Sequence, residues 1–172
     1  MTLILRPPTL ADETACRALH EQLAADNFSF LFDSDSEWSE ILARFEREAA
    51  GVDLPENRVP CDFLVAEVDG TIVGRSSIRH VLTDFLLNWG GHVGYAVGPE
   101  YRRRGYATEI LRLSVARLAG LGVERVLVTC DDDNVGSAAV IEACGGVLED
   151  VRPIAGEQPK RRYWIDAGAQ AT

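Results

Sequence analysis

The stretch from His92 to Cys130 limits what this chain can fold into more than any other. It reads as a strand (His92 to Val97), a turn holding Pro99 and Gly105, a helix (Gly105 to Ala119) and a valine-rich strand (Val123 to Cys130). The helix carries Ala107, Ile110, Leu111, Ser114, Leu118 and Leu121 on one face, and Gly120 and Gly122 punctuate its end. Two strands joined through such a helix require parallel pairing with a right-handed crossover. Upstream, Phe63 to Val68 and Thr71 to Ile78 flank Asp69-Gly70, the signature of a tight antiparallel hairpin. Both pairings in one chain predict a mixed sheet with helices on both faces, an α/β fold of the α+β mixed-sheet kind.

The remaining segments fit around that frame. Residues 2–6 form a short strand ended by Pro7-Pro8, and Thr9 caps a helix that runs to about Asn27. Ser36 caps a second helix through Glu37, Trp38, Ile41, Leu42 and Phe45, closed by Gly51. Between them lies FSFLFDSDS, an aromatic loop suited either to a ligand cleft or to the core. Leu86, Leu87 and Trp89 fall in a loop, and Val135 to Ala143 form a helix. Val147 to Val151 and Arg162 to Ile165 form two final strands, and the closing AGAQAT frays. At 172 residues without a linker or repeat, the chain is expected to be one domain, 1–172.

The charge narrows the partners. A formal net charge of -10 disfavours nucleic acid and anionic membranes and suits a cationic acceptor such as an amine. MTLILRPP is no signal peptide, and no apolar run is long enough to span a bilayer, so the chain is expected to be cytoplasmic. Cys16, Cys61, Cys130 and Cys144 are widely spaced with no CxxC pair, which predicts thiols rather than a zinc site. No His, Asp and Glu set has metal-ligand spacing, so no metal is expected.

Val97 to Thr108 carries the chemistry. A glycine between a strand and a helix start offers unpaired N–H groups and the positive end of a helix dipole, where phosphate binds. On these grounds alone it is either a phosphate-binding turn or a solvated basic turn. It is neither the P-loop GxxxxGK[ST] nor the dinucleotide GxGxxG.

Arg102-Arg103-Arg104-Gly105-Tyr106-Ala107 matches [QR]xxGx[GA] after a strand ending in Val97-Gly98-Pro99, and Asn134, Ser137, Glu142 and Gly145 match NxxSxxxxExxG downstream. With the order of elements, these residues resemble the GNAT superfamily of N-acetyltransferases across nearly the whole chain. The resemblance implies a GNAT-like acyl-CoA N-acyltransferase fold, a mostly antiparallel central sheet with one parallel, splayed strand pair. It implies acetyl-CoA as cosubstrate. Backbone N–H groups of Arg102, Arg103, Arg104, Gly105, Tyr106, Ala107 and Thr108 would cradle its pyrophosphate. The strand residues Tyr95, Ala96 and Val97 would hold the thioester end, with Asn134 and Ser137 on the pantetheine arm. The implied reaction is transfer of the acetyl group to a primary amine of a small molecule or peptide, by direct attack in a ternary complex. A homodimer is compatible with it.

The family often places an acidic tyrosine seven residues after the asparagine. Here that residue is Ile141, which opens an alternative: a catalytically inactive, regulatory acyl-CoA-binding module. Candidates for proton transfer are His92, His80 and Glu67, with Tyr95 facing the thioester. The aromatic loop from Phe28 to Phe32, with Asp33 and Asp35, would shape the acceptor site. Lys160-Arg161-Arg162 is a solvated strand end or a contact to the CoA 3'-phosphate.

Overall fold

Alternation along residues 61–79 folds into a long hairpin in a computed structural model that describes residues 2–170. Strands β2 (Cys61–Val68) and β3 (Thr71–Arg79) turn through Asp69 and Gly70, whose φ angles of 49° and 80° are those of the mirror-image turn that matches strand twist. Strand β1 (Leu3–Arg6) pairs with the outer edge of β2, and β4 (Val93–Val97) pairs with β3. The second sheet has the order β5 (Arg125–Asp131), β7 (Lys160–Asp166), β6 (Val147–Arg152). The last strand thus lies between the two before it.

Helices cover both faces. Helices α1 (Glu13–Ala24) and α2 (Trp38–Ala50) bury Leu19, Leu23, Trp38, Ile41 and Phe45 with Phe63 and Val65 of β2. Phe45 stacks on Phe63 at 4.0 Å between centroids, burying two large apolar rings together. On the opposite face α3 (Tyr106–Gly120) and α4 (Val135–Ala143) bury Leu111, Val115, Leu118, Ala138 and Ile141 against Leu64, Ile78, Val126 and Val128.

Five expectations need correction. Among the described residues every strand ladder is antiparallel, and the sheet is split in two. The parallel pairing expected between β4 and β5 is not a ladder. His92 N donates to Leu127 O at 2.7 Å, and Leu127 N donates to the imidazole Nδ1 of His92 at 2.9 Å. A side chain thus takes the place of a second backbone acceptor, and the strands part beyond it. Gly91 makes this approach possible: with φ at +66°, a Cβ there would stand 2.7 Å from Leu127 O. Ser36 does not cap α2; its hydroxyl donates to Asp33 and Glu37 holds the cap position. Leu121 is half exposed, and Val115 fills the core position on the α3 face instead. The segment Leu86–Gly90 is a single π-helical turn rather than plain loop. Of the AGAQAT tail, Gly168–Gln170 forms a short 3-10 turn, and its last two residues lie outside the described range.

Candidate functional site

Where β4 and β5 part, a cleft of about 650 Å³ opens between β4 and the first turns of α3 and α4. Tyr95, Ala96, Val97, Arg102, Arg103, Gly105, Tyr106, Ala107, Thr108, Asn134 and Ser137 all line it. Arg104 does not; its guanidinium donates to Glu100 O and lies over Tyr101.

The start of α3 supplies hydrogen-bond donors. Gly105 is left-handed with φ at +81°, and the first bond that closes on it is Glu109 N to Gly105 O at 3.1 Å. The N–H groups of Tyr106, Ala107 and Thr108 therefore have no partner within the helix. Arg103 also adopts a positive φ, 61°, a conformation that costs a non-glycine residue about 1 kcal/mol or more. Its side chain makes no hydrogen bond or ion pair among the described residues. Arg102, in contrast, donates to Val97 O and pairs with Asp26 at 2.6 Å. Of the three arginines, Arg103 is the one left to meet an anion.

The β4 edge supplies two more donors. In its ladder with β3, Gly98 N donates to Val73 O and Arg79 N to His92 O. Antiparallel bonding alternates along a strand, so the N–H groups of Tyr95 and Val97 face the edge that has no partner strand. Across that gap the Tyr95 hydroxyl meets Ser137 Oγ at 2.9 Å. Burial pushes the Tyr95 hydroxyl up to about 12, against a smaller opposing effect of the Ser137 bond. Asn134 caps α4 through Oδ1, which accepts from Ser137 N at 3.0 Å; the residue lines the cleft, and its amide NH2 makes no hydrogen bond among the described residues. Glu142 accepts from the Tyr163 hydroxyl and ties α4 to β7, while Ile141 is fully buried in the core.

The other candidates for proton transfer lie outside this cleft. His92 is 5% exposed, and burial pushes its pKa down to about 4, with the Arg79 charge adding to the fall. Its bond from Leu127 N requires Nδ1 unprotonated, so the ring is neutral at pH 7. The unfolded chain takes up this proton near pH 6.5, before the folded one does. Stability from His92 is thus complete above pH 6.5 and is lost as pH falls toward 4, by up to about 3 kcal/mol. Urea unfolding at pH 7 and pH 4.5 should show wild type losing about 2 kcal/mol more than His92→Asn, which keeps an acceptor but cannot titrate. Equal losses would show that His92 does not carry this effect.

His80 Nε2 lies 3.1 Å from Asp62 Oδ2 without hydrogen-bond alignment, and Arg117 Nε reaches the same oxygen at 2.5 Å. Glu67 pairs with Arg6 at 2.6 Å. Burial raises the thiols of Cys130, to about 11, and Cys144, so neither is a ready nucleophile. Lys160 pairs with Asp131, Arg161 with Asp132, and Arg162, 2% exposed, with Glu149 and Asp150. That strand end is a set of ion pairs, not a solvated one.

A second cavity, about 680 Å³, lies on the α2 side of the sheet, lined by Cys61, Ser77, Arg79, Phe32 and the loop around Phe85. Ser77 is the β3 partner of Gly94, the residue before Tyr95. The two cavities therefore flank the middle of β4. Of the aromatic loop, Phe28 reaches the first cavity and Phe32 the second, while Phe30 and Leu31 are fully buried. Asp33 serves the loop itself, accepting from Ser36 and Arg44. Sequence reasoning missed Arg75 and Arg79. Their period-two spacing with Ser77 in RSSIR puts all three on one face of β3, and that spacing was the available signal.

The family profile described as an acetyltransferase (GNAT) domain matches residues 2–147. The chain belongs to the GNAT family of acetyltransferases. No curated protein shows a significant sequence match. Among solved structures, RimJ of Mycobacterium smegmatis in complex with CoA-disulfide superimposes with a TM-score of 0.74 at 20% identity, covering 99% of this chain and 84% of that one. The Salmonella typhimurium yncA, a putative acetyltransferase with its cofactor acetyl-CoA, gives 0.66 at 16%, covering 100% and 98%. A spermidine N-acetyltransferase SpeG chimera from Vibrio cholerae and hSSAT gives 0.69 at 16%, covering 99% and 98%. At these identities the likeness is one of fold. Among the described residues no helix is long and apolar enough to cross a membrane.

Proposed function

We propose that the chain transfers an acetyl group from acetyl-CoA to a primary amine by direct attack in a ternary complex. The observation that carries this reading is the pair of cavities on either side of β4, one rich in free N–H donors and one on the α2 face. Bound in the first, acetyl-CoA supplies an activated acyl group. The N–H groups of residues 106–108, with Arg103, fit a pyrophosphate. The Asn134 amide fits the pantetheine arm. The edge N–H groups of Tyr95 and Val97 fit an acyl oxygen and the negative charge that grows on it. Tyr95 holds a proton beside Ser137, within the same gap, for the departing sulfur. In this reading His92 and His80 position strands rather than move protons.

The buried Ile141 favours a second reading, an acyl-CoA-binding module without turnover. Incubation with acetyl-CoA and a range of amines, followed by release of free thiol, separates the two. Thiol release that depends on an amine is expected. Calorimetric binding of acetyl-CoA with no turnover on any amine would favour the module, and no binding would defeat both.

A further inference from the structure

The α2-side cavity holds an unusual electrostatic feature. Arg75 is 2% exposed and has no carboxylate partner among the described residues. It donates to two backbone carbonyls, Gly94 O and Ser29 O, both at 3.1 Å, while its Nε is buried with no partner. Its guanidinium lies between the rings of Phe28 and Phe32, 4.7 Å from each centroid. Four residues along and on the same face of β3, Arg79 donates only through Nη1, to Gly90 O and Gly91 O. Its Nε and Nη2 make no hydrogen bond among the described residues, and it lines the cavity. In a chain with ten more acidic than basic charges, two cations lie side by side, and among the described residues neither is ion-paired with a carboxylate. Burial lowers both from the usual arginine value, Arg75 to about 9; the Arg79 charge adds to the fall at Arg75, and the Arg58 charge adds to the fall at Arg79. Both remain charged at neutral pH. An unpaired buried charge is costly, and an arriving anion offsets that cost.

Resting on the transferase reading, we infer that the acceptor is a small amine bearing a carboxylate close to its amino group, with the carboxylate held on the open edge of Arg79 above Ser77. Gly94 fixes the geometry. A Cβ there would stand 3.9 Å from Arg79 Nη2 and 3.8 Å from Arg75 Nη1, so the glycine leaves room between the guanidinium groups and β4. Gly94 also precedes Tyr95, whose free edge faces the cofactor cleft. The open edge of Arg79 therefore lies beside the residue that precedes Tyr95, and a carboxylate held there suits an acceptor whose amine and carboxylate are close together, an α- or β-amino acid. Phe32 and Leu86 give the acceptor's side chain an apolar wall, while Glu56 and Asp84 stand exposed at the mouth. Of the carboxylates lining the cavity, the less exposed Glu48 is already engaged by Arg44 and Arg58.

The test compares each standard amino acid with its own carboxamide as acceptor, by thiol release, with acetyl-CoA binding measured separately by calorimetry. The amide lowers the amine's basicity and so favours the carboxamide on chemical grounds alone. We expect the best amino acid to exceed its carboxamide at least tenfold in kcat/KM. Arg79→Gln should abolish that preference through KM while acetyl-CoA affinity stays at the wild-type level, and Arg79→Lys should retain part of it. Carboxamides, or polyamines such as spermidine, turned over as well as or better than amino acids would overturn the inference. So would a preference that survives in folded Arg79→Gln. Should that variant not fold, the wild-type comparison decides alone. Binding of acetyl-CoA with no acceptor turned over would instead defeat the transferase reading, and this inference with it.

Discussion

Replacing Tyr95 by phenylalanine is expected to lower kcat about 100-fold while leaving acetyl-CoA affinity within threefold of wild type. The hydroxyl spans the gap between β4 and α4 to reach Ser137 Oγ at 2.9 Å, where the family's own tyrosine position is filled by the buried Ile141. Two groups thus stand on opposite walls of the cleft, and one proton is shared between them. Burial holds the phenol near 12, so it stays protonated through the whole working range. If Tyr95 is the donor to the departing sulfur, its proton is present at every pH up to about 11, and a decline of rate below that pH must come from another group. Loss of the Ser137 bond should cost about 1 kcal/mol of stability. Ser137→Ala breaks the same bond but leaves the phenol, so its kcat should fall less than tenfold. Equal losses in the two variants would point to positioning rather than proton donation. An unchanged kcat in Tyr95→Phe would remove the residue from the chemistry.

Why was the cleft beside β4 legible in the sequence when the α2-side cavity was not? The cleft depends on local features: a glycine at a helix start, an asparagine cap, and a strand that ends just before a proline. Each is set by residues within a few positions of one another, so spacing revealed them. The split between the sheets depends instead on His92 Nδ1 accepting from Leu127 N, a bond between residues 35 apart. A histidine at a strand start reads as a candidate base until its partner is known, and that partner makes it a clamp. Arg75 follows the same logic. An arginine in a strand usually marks an exposed face, yet Phe28, Phe32 and Phe63 from other segments enclose it. The alternation of β3 was visible, but not which face α2 would cover. Ser36 and Leu121 failed for smaller reasons. Asp33 competes for the serine hydroxyl, and α3 ends one residue before Leu121 can turn inward.

Gly105→Glu is expected to weaken acetyl-CoA binding about 100-fold, or about 2.7 kcal/mol, read by calorimetry. A Cβ at this position meets nothing within 4 Å, so the fold has space for the side chain. The backbone, however, is left-handed at +81°, which costs a residue with a Cβ about 1–2 kcal/mol. The new carboxylate would also sit beside the three free N–H groups of residues 106–108, where it can accept the bonds a pyrophosphate would take and repel what it does not displace. The two effects separate in a control. Gly105→Asn meets the same conformational demand without charge, and asparagine tolerates this region well. It should lower the unfolding midpoint slightly and weaken acetyl-CoA binding less than tenfold. If the glutamate variant bound as tightly as the asparagine one, the phosphates would not lie at the start of α3. The remaining donors, on β4 and Asn134, would then have to carry the cofactor alone. Because binding is read without any acceptor, this result does not depend on which amine the protein modifies.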